Sequence, residues 1–175
     1  PLPRRDDPTL PELFRPQLDP NRALASIGQN RVPAIFSVRT DQDRKDEAIR
    51  KYGGNADAQR AVERALRWMA SMQEPDGRWN AARFGAGNGP AETDATAKGR
   101  ELAGRKSDTG VTGLVLLAML GNGNSLSEGP YSVVVTQAVD WLVAQQTREG
   151  SLAGDATNFE AMYCHGIATL ALADA

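Results

Sequence analysis

Cysteine and histidine are almost absent from this chain, with one of each in 175 residues. A single cysteine, Cys164, excludes an internal disulfide, and no Cys-x-x-Cys pair is present to hold a metal. Aromatic residues are scarce, and no charge of one sign dominates: the formal net charge is −2, so no global basic field would draw in nucleic acid or an acidic membrane. No apolar run approaches the roughly 20 residues that span a bilayer; the longest, Val111 to Leu120, is about half that. No signal-like apolar region is present either, and compartment stays open. The chain opens on Pro1 rather than Met and closes inside helix-forming sequence, which reads as a piece of a longer protein.

What is present is organised by proline, glycine and helical periodicity. Residues 1–20 hold six prolines and read as an extended arm or linker, since proline removes backbone donors and breaks helices. Residues 21–55 predict short helices: one over Asn21 to Gln29, and a charged one over Asp41 to Lys51 that Gly53-Gly54 stop. Asn55 is placed to cap the next helix, Asp57 to Gln73. There Ala58, Ala61, Val62, Ala65, Leu66, Met69 and Met72 recur at the spacing of one buried face. Pro75-Asp76-Gly77 is turn chemistry.

Residues 80–107 are glycine-rich, short of large apolar residues, and read as a long loop. Val111 to Leu120 is apolar nearly all round, which predicts a helix buried on most sides. After Gly121-Asn122-Gly123-Asn124, Pro130 suits the first turn of a helix over Tyr131 to Gln146, with Val134, Val135, Ala138, Val139 and Leu142 facing inward. Thr157 and Glu160 match a capping box for the last helix, Phe159 to Asp174. No segment alternates as a strand does. The expectation is an all-α fold in which amphipathic outer helices and apolar inner helices alternate in two layers.

The two helix pairs also align with each other. Val62, Ala65, Trp68, Gln73 and Gly77 meet Val135, Ala138, Trp141, Gln146 and Gly150 at one offset of 73. Gly113-Leu114 meet Gly166-Ile167 at an offset of 53, which puts an insertion of about 20 residues into the glycine-rich loop of the first unit. The units are 56–121 and 130–175. The first carries Arg64-Ala65-x-x-Trp68-Met69-x-x-x-Gln73-x-x-x-Gly77-x-Trp79, and the second a worn copy from Ala138 through Trp141, Gln146 and Gly150 to Leu152.

These strings resemble the Gln-Trp repeats of squalene–hopene cyclases and protein prenyltransferases. Tyr163-Cys164-His165-Gly166-Ile167-Ala168-Thr169 is also similar to a segment of large bacterial repeat proteins of unassigned role. The resemblance covers about residues 56–175. It implies α-α hairpins forming an arc of an α/α toroid, with any active site in a central cavity at inner-helix ends. In the motif itself the glutamine amide is expected to donate to the orphan carbonyls of the outer helix and to accept from N–H groups of the next helix. Gly77 permits the turn, and Trp79 covers the hairpin mouth.

The chemistry of those enzymes is not spelled out here. No Asp-x-Asp-Asp acid is present; Asp41-Gln42-Asp43 runs into Arg44 on a charged segment. Cys164 and His165 are adjacent, so they do not face each other on a helix and make poor co-ligands; no metal site or cofactor is expected. There is no thioester Cys–Gln pair, Gly85-x-Gly87-x-Gly89 follows no strand, and Lys98, Arg100, Arg105 and Lys106 read as a solvated loop. His165 is the one neutral-pH acid–base candidate, at the start of an inner helix, against the plainer reading of a hydrogen-bonded junction residue. Glu160, Tyr163 and Cys164 share its neighbourhood as candidate binding residues.

Whether the chain is an enzyme stays open. The favoured reading is a noncatalytic binding or scaffold segment of a larger protein. The alternative is part of a terpenoid cyclase or prenyltransferase-like enzyme with catalytic residues elsewhere. Partners implied are further repeats of the parent protein or a second copy of the chain, with an apolar ligand possible.

Overall fold

The computed structural model describes residue 39, residues 41–86 and residues 103–175. The proline-rich arm, the helix expected at Asn21 to Gln29, and Gly87, Gly89, Lys98 and Arg100 lie outside the described residues. Among the described residues there are five α-helices and no strand: α1 (Gln42–Lys51), α2 (Ala56–Ser71), α3 (Asp108–Gly121), α4 (Ser132–Ala144) and α5 (Asn158–Asp174). A single 3-10 turn, Ala81–Phe84, sits in the stretch expected to be loop, and the side chain of Asn80 starts it by accepting from the N–H groups of Ala82 and Arg83.

Local chemistry sets the first two helices. The carboxylate of Asp41 accepts from the Arg44 N–H and starts α1, and the Asn55 side chain accepts from the Ala58 N–H at 2.8 Å and starts α2. Between them the chain reverses at Gly53. Helix α1 is tied to the connection after α3, where Lys45 Nζ donates to both the backbone oxygen (3.0 Å) and the side-chain oxygen (2.7 Å) of Asn122.

Helix α3 is the centre of the fold. It lies along α5 over most of its length and touches α4 and, over a shorter stretch, α2. Its buried residues include Leu116, Met119 and Leu120, which meet Leu66, Val135, Leu142 and Ala168 in one core. The approach to α5 is backbone to backbone. A Cβ on Gly113 would lie 3.2 Å from the Ala168 backbone, and one on Gly110 would lie 3.0 Å from Cys164 Sγ.

Three expectations are corrected. The face predicted along α2 is buried only toward its C-terminal end: Leu66 is buried and Met69 and Met72 half-buried, but Ala58, Ala61, Val62 and Ala65 are exposed. Its periodicity is intact; the neighbouring helices reach only the last turns. Pro130 does not occupy the first turn of α4, because that helix starts at Ser132 with Tyr131 at its cap. The capping box at Thr157 does not form. Asn158 enters α5 at φ 53°, Thr157 makes no side-chain cap bond, and Glu160 Oε1 instead accepts from the Gly104 N–H at 2.9 Å.

Candidate functional site

The polar side chains gather at the two hairpin mouths. In the first, α2 ends at Met72 and the chain turns through 73–80. Gly77, at φ 99°, allows the turn, and the Gly77 N–H donates to Glu74 O at 2.9 Å. The Glu74 N–H donates to Arg78 O at 2.8 Å. Gln73 Nε2 donates to Gly77 O (2.9 Å) and to Val134 O of α4 (3.0 Å). One amide therefore holds the turn together and fastens it to α4. The expectation that this side chain donates to the last carbonyls of α2 and accepts from N–H groups of the next helix is corrected: its amide donates to the turn at Gly77 and to a carbonyl of α4.

Trp79 is buried at the bottom of the mouth. Its ring Nε1–H donates at 2.8 Å to Met69 O, a carbonyl near the end of α2 that also accepts from the Met72 N–H, and its backbone N–H donates to Thr112 Oγ1 at 3.0 Å. Asp108, in the first turn of α3, accepts from the Ala81 N–H (2.8 Å) with one oxygen and from Arg78 Nη1 (3.0 Å) with the other.

The second mouth repeats the turn bonds, the glutamine bond within the turn and the bond from the buried residue's N–H. Gly150 is at φ 89°, its N–H donates to Thr147 O at 2.9 Å, and the Thr147 N–H donates to Ser151 O at 2.9 Å. Gln146 Nε2 donates to Gly150 O at 3.4 Å. Leu152 is buried where Trp79 is in the first mouth, and its backbone N–H donates to His165 Nδ1 at 3.1 Å. His165 stands 53 positions after Thr112, so the imidazole supplies the acceptor that a threonine hydroxyl supplies in the first mouth.

The expected cluster around His165 does not converge. His165 lies inside α5 rather than at its start. Tyr163 is 70% exposed, Cys164 is buried against Gly110, and the Glu160 carboxylate is bound to the Gly104 N–H. Of the other motif residues, Trp68 is exposed and meets Phe84 edge to face, with centroids 5.7 Å apart. Trp141 is half-buried and Arg64 exposed. Arg105 and Lys106 border a hollow of about 100 Å³ beside Arg78, Asp108 and Trp141.

A groove of about 490 Å³ runs between α1, α2 and the connection into α4. Lys45, Glu63, Arg67, Asn122, Glu128 and Tyr131 border it, a polar lining. Among the described residues, no three His, Cys, Asp or Glu side chains come together as a metal site, and no helix is long and apolar enough to cross a membrane.

Sequence reasoning missed Asp108 and Thr112, whose partners lie about 30 residues earlier. It also missed Asn124, which is buried, donates to Met119 O at 3.0 Å and accepts from the Tyr131 N–H at 3.2 Å. The acidic residue opening an apolar helix was the available signal for Asp108. Nothing local marks Thr112. No protein-family model matches the chain, and no curated protein or solved structure matches it.

Proposed function

We propose that this chain is a noncatalytic scaffold segment: two stacked α-α hairpins of the prenyltransferase and squalene-cyclase type, an arc of an α/α toroid whose flanks bind other helical hairpins. The observation that carries the reading is the bond from the Leu152 N–H to His165 Nδ1. The one residue suited to proton transfer at neutral pH spends its free nitrogen on holding a backbone. The same holds for Gln73, Thr112 and Asp108, each of which closes a hairpin mouth. The recurrence of the glutamine-to-turn bond and of the bond from the buried residue's N–H to the inner helix, at the offsets of the sequence alignment, supports a stack of equivalent units. The groove on α1 and α2 has a polar lining, which favours a protein partner over an apolar ligand.

Two variants test this. His165→Asn keeps an acceptor close to the Nδ1 position, whereas His165→Ala leaves the Leu152 N–H without one. The expected result is near-native melting for Asn and a loss of about 1–3 kcal/mol for Ala. Neither the parent chain nor the variants are expected to convert squalene or a prenyl diphosphate. Turnover that His165→Ala abolishes and His165→Asn does not restore would overturn the scaffold reading in favour of an enzyme.

A further inference from the structure

Corresponding positions of the two hairpins differ in what covers them. On the outer helices, Val135 is 0% exposed and Val62 is 48% exposed, although they correspond at the offset of 73. Ala138 is buried and Ala65 exposed in the same way. One flank of the second hairpin is therefore covered by the first, and the same flank of the first hairpin is bare.

The opposite flank shows the reverse. A Cβ on Gly77 would lie 2.2 Å from Gln137 O of α4, whereas a Cβ on Gly150 would meet no atom of another described segment within 4 Å. Gly113 abuts Ala168 of α5, whereas a Cβ on its counterpart Gly166 would meet no described residue outside its own helix within 4 Å. Gln73 reaches Val134 O, whereas Gln146, among the described residues, donates within its own turn to Gly150 O. Beside Gly166, Met162 and Tyr163 stand exposed on α5.

The chain thus carries, unused, both halves of the interface it forms once internally. We infer that it associates with a second copy of itself, head to tail. The bare α2 flank of one molecule seats on the bare α4–α5 flank of the other, as α4 and α5 seat on α2 and α3 within one chain. The partner is a second copy because the bare α2 flank matches the seated α4 flank position by position: Val62 for Val135, Ala65 for Ala138 and Trp68 for Trp141. In this arrangement Gln146 Nε2 donates to the carbonyl of Ala61 in the second molecule, the counterpart of Val134. Gly150 and Gly166 leave room for its backbone. Such an interface joins two different patches, so it propagates unless the rotation closes a ring.

This inference rests on the hairpin-stack reading, and the full chain tests it. Sedimentation velocity from about 1 to about 100 μM brackets micromolar affinity. The mass is expected to rise with concentration. Gly166→Leu fills a bare helical position and removes a helix-interior glycine, so it folds and blocks the α5 flank. Ala65→Glu places a charge on the exposed α2 flank.

Each variant alone is expected to stay monomeric. A mixture of the two is expected to form a dimer and stop, because each retains the flank that the other lacks. A wild-type chain that stays monomeric throughout, or variants that associate as the wild type does, would overturn the inference. The stack reading is judged separately, by the melting of single glycine variants in the monomer. Failed association with unequal glycine effects refutes the dimer alone, and equal glycine effects refute the stack.

Discussion

Replacing Gly77 by alanine is expected to destabilise the fold more than the same change at Gly150, although the two glycines close equivalent turns. The backbone cost is shared. Gly77 at φ 99° and Gly150 at φ 89° both hold a conformation that an L side chain resists, at about 1–2 kcal/mol. The packing cost is not shared. The new Cβ at 77 would stand 2.2 Å from Gln137 O and 2.7 Å from its carbonyl carbon, so backbone of α4 must retreat. Forcing atoms into a filled site costs about 1–3 kcal/mol.

The totals are then about 2–5 kcal/mol for Gly77→Ala and about 1–2 kcal/mol for Gly150→Ala. For a chain of this length, 1 kcal/mol moves the melting midpoint by about 2–4 °C. The difference of 1–3 kcal/mol therefore separates the two midpoints by roughly 2–12 °C. Thermal melts followed by circular dichroism, paired with urea titrations to check that the slope is unchanged, measure both variants under one protocol. Equal shifts would refute the close seating of α4 on the first hairpin mouth.

Trp79→Ala removes the largest buried side chain and its bond to Met69 O, with an expected loss of about 3–5 kcal/mol; a melting shift near zero would show that the ring is not buried. Gln73→Ala leaves two carbonyls short of a donor and is expected to cost about 1–3 kcal/mol. Gln146→Ala, on an exposed side chain with one long bond, is expected to stay within about 0.5 kcal/mol in the monomer. If both glutamine variants melt alike, the fastening of Gln73 to α4 is wrong.

The features legible in the sequence are those whose cause is local. Asn55 caps α2 because a short acceptor before a helix has backbone donors two or three residues on. Gly53 and Gly77 mark turns for equally local reasons. The all-helical class follows from periodicity over longer windows.

Where the sequence misleads, the cause is distant. Val62 and Ala65 have the right spacing for burial, but spacing states which residues share a face, not whether another helix arrives to cover it. Thr157 and Glu160 match a cap, and the carboxylate was taken instead by Gly104, about 56 positions away. Thr112 and His165 escaped the alignment of the two hairpins, although the glycines beside them matched. A hydroxyl and an imidazole have little in common except an acceptor atom.

The close approach of α3 and α5 has a kinetic consequence. Cys164 Sγ lies against Gly110, where α3 contributes no side chain to the contact. A soluble thiol reagent reaches that sulfur only while the helices part. With one cysteine in the chain, each modification event records a single opening of the central seam. When reclosure is fast relative to modification, the labelling rate reports how often the seam is open at equilibrium. When modification is faster, it reports the rate of opening itself. The glycine that lets the two backbones touch thereby turns the chain's one thiol into a clock for local unfolding.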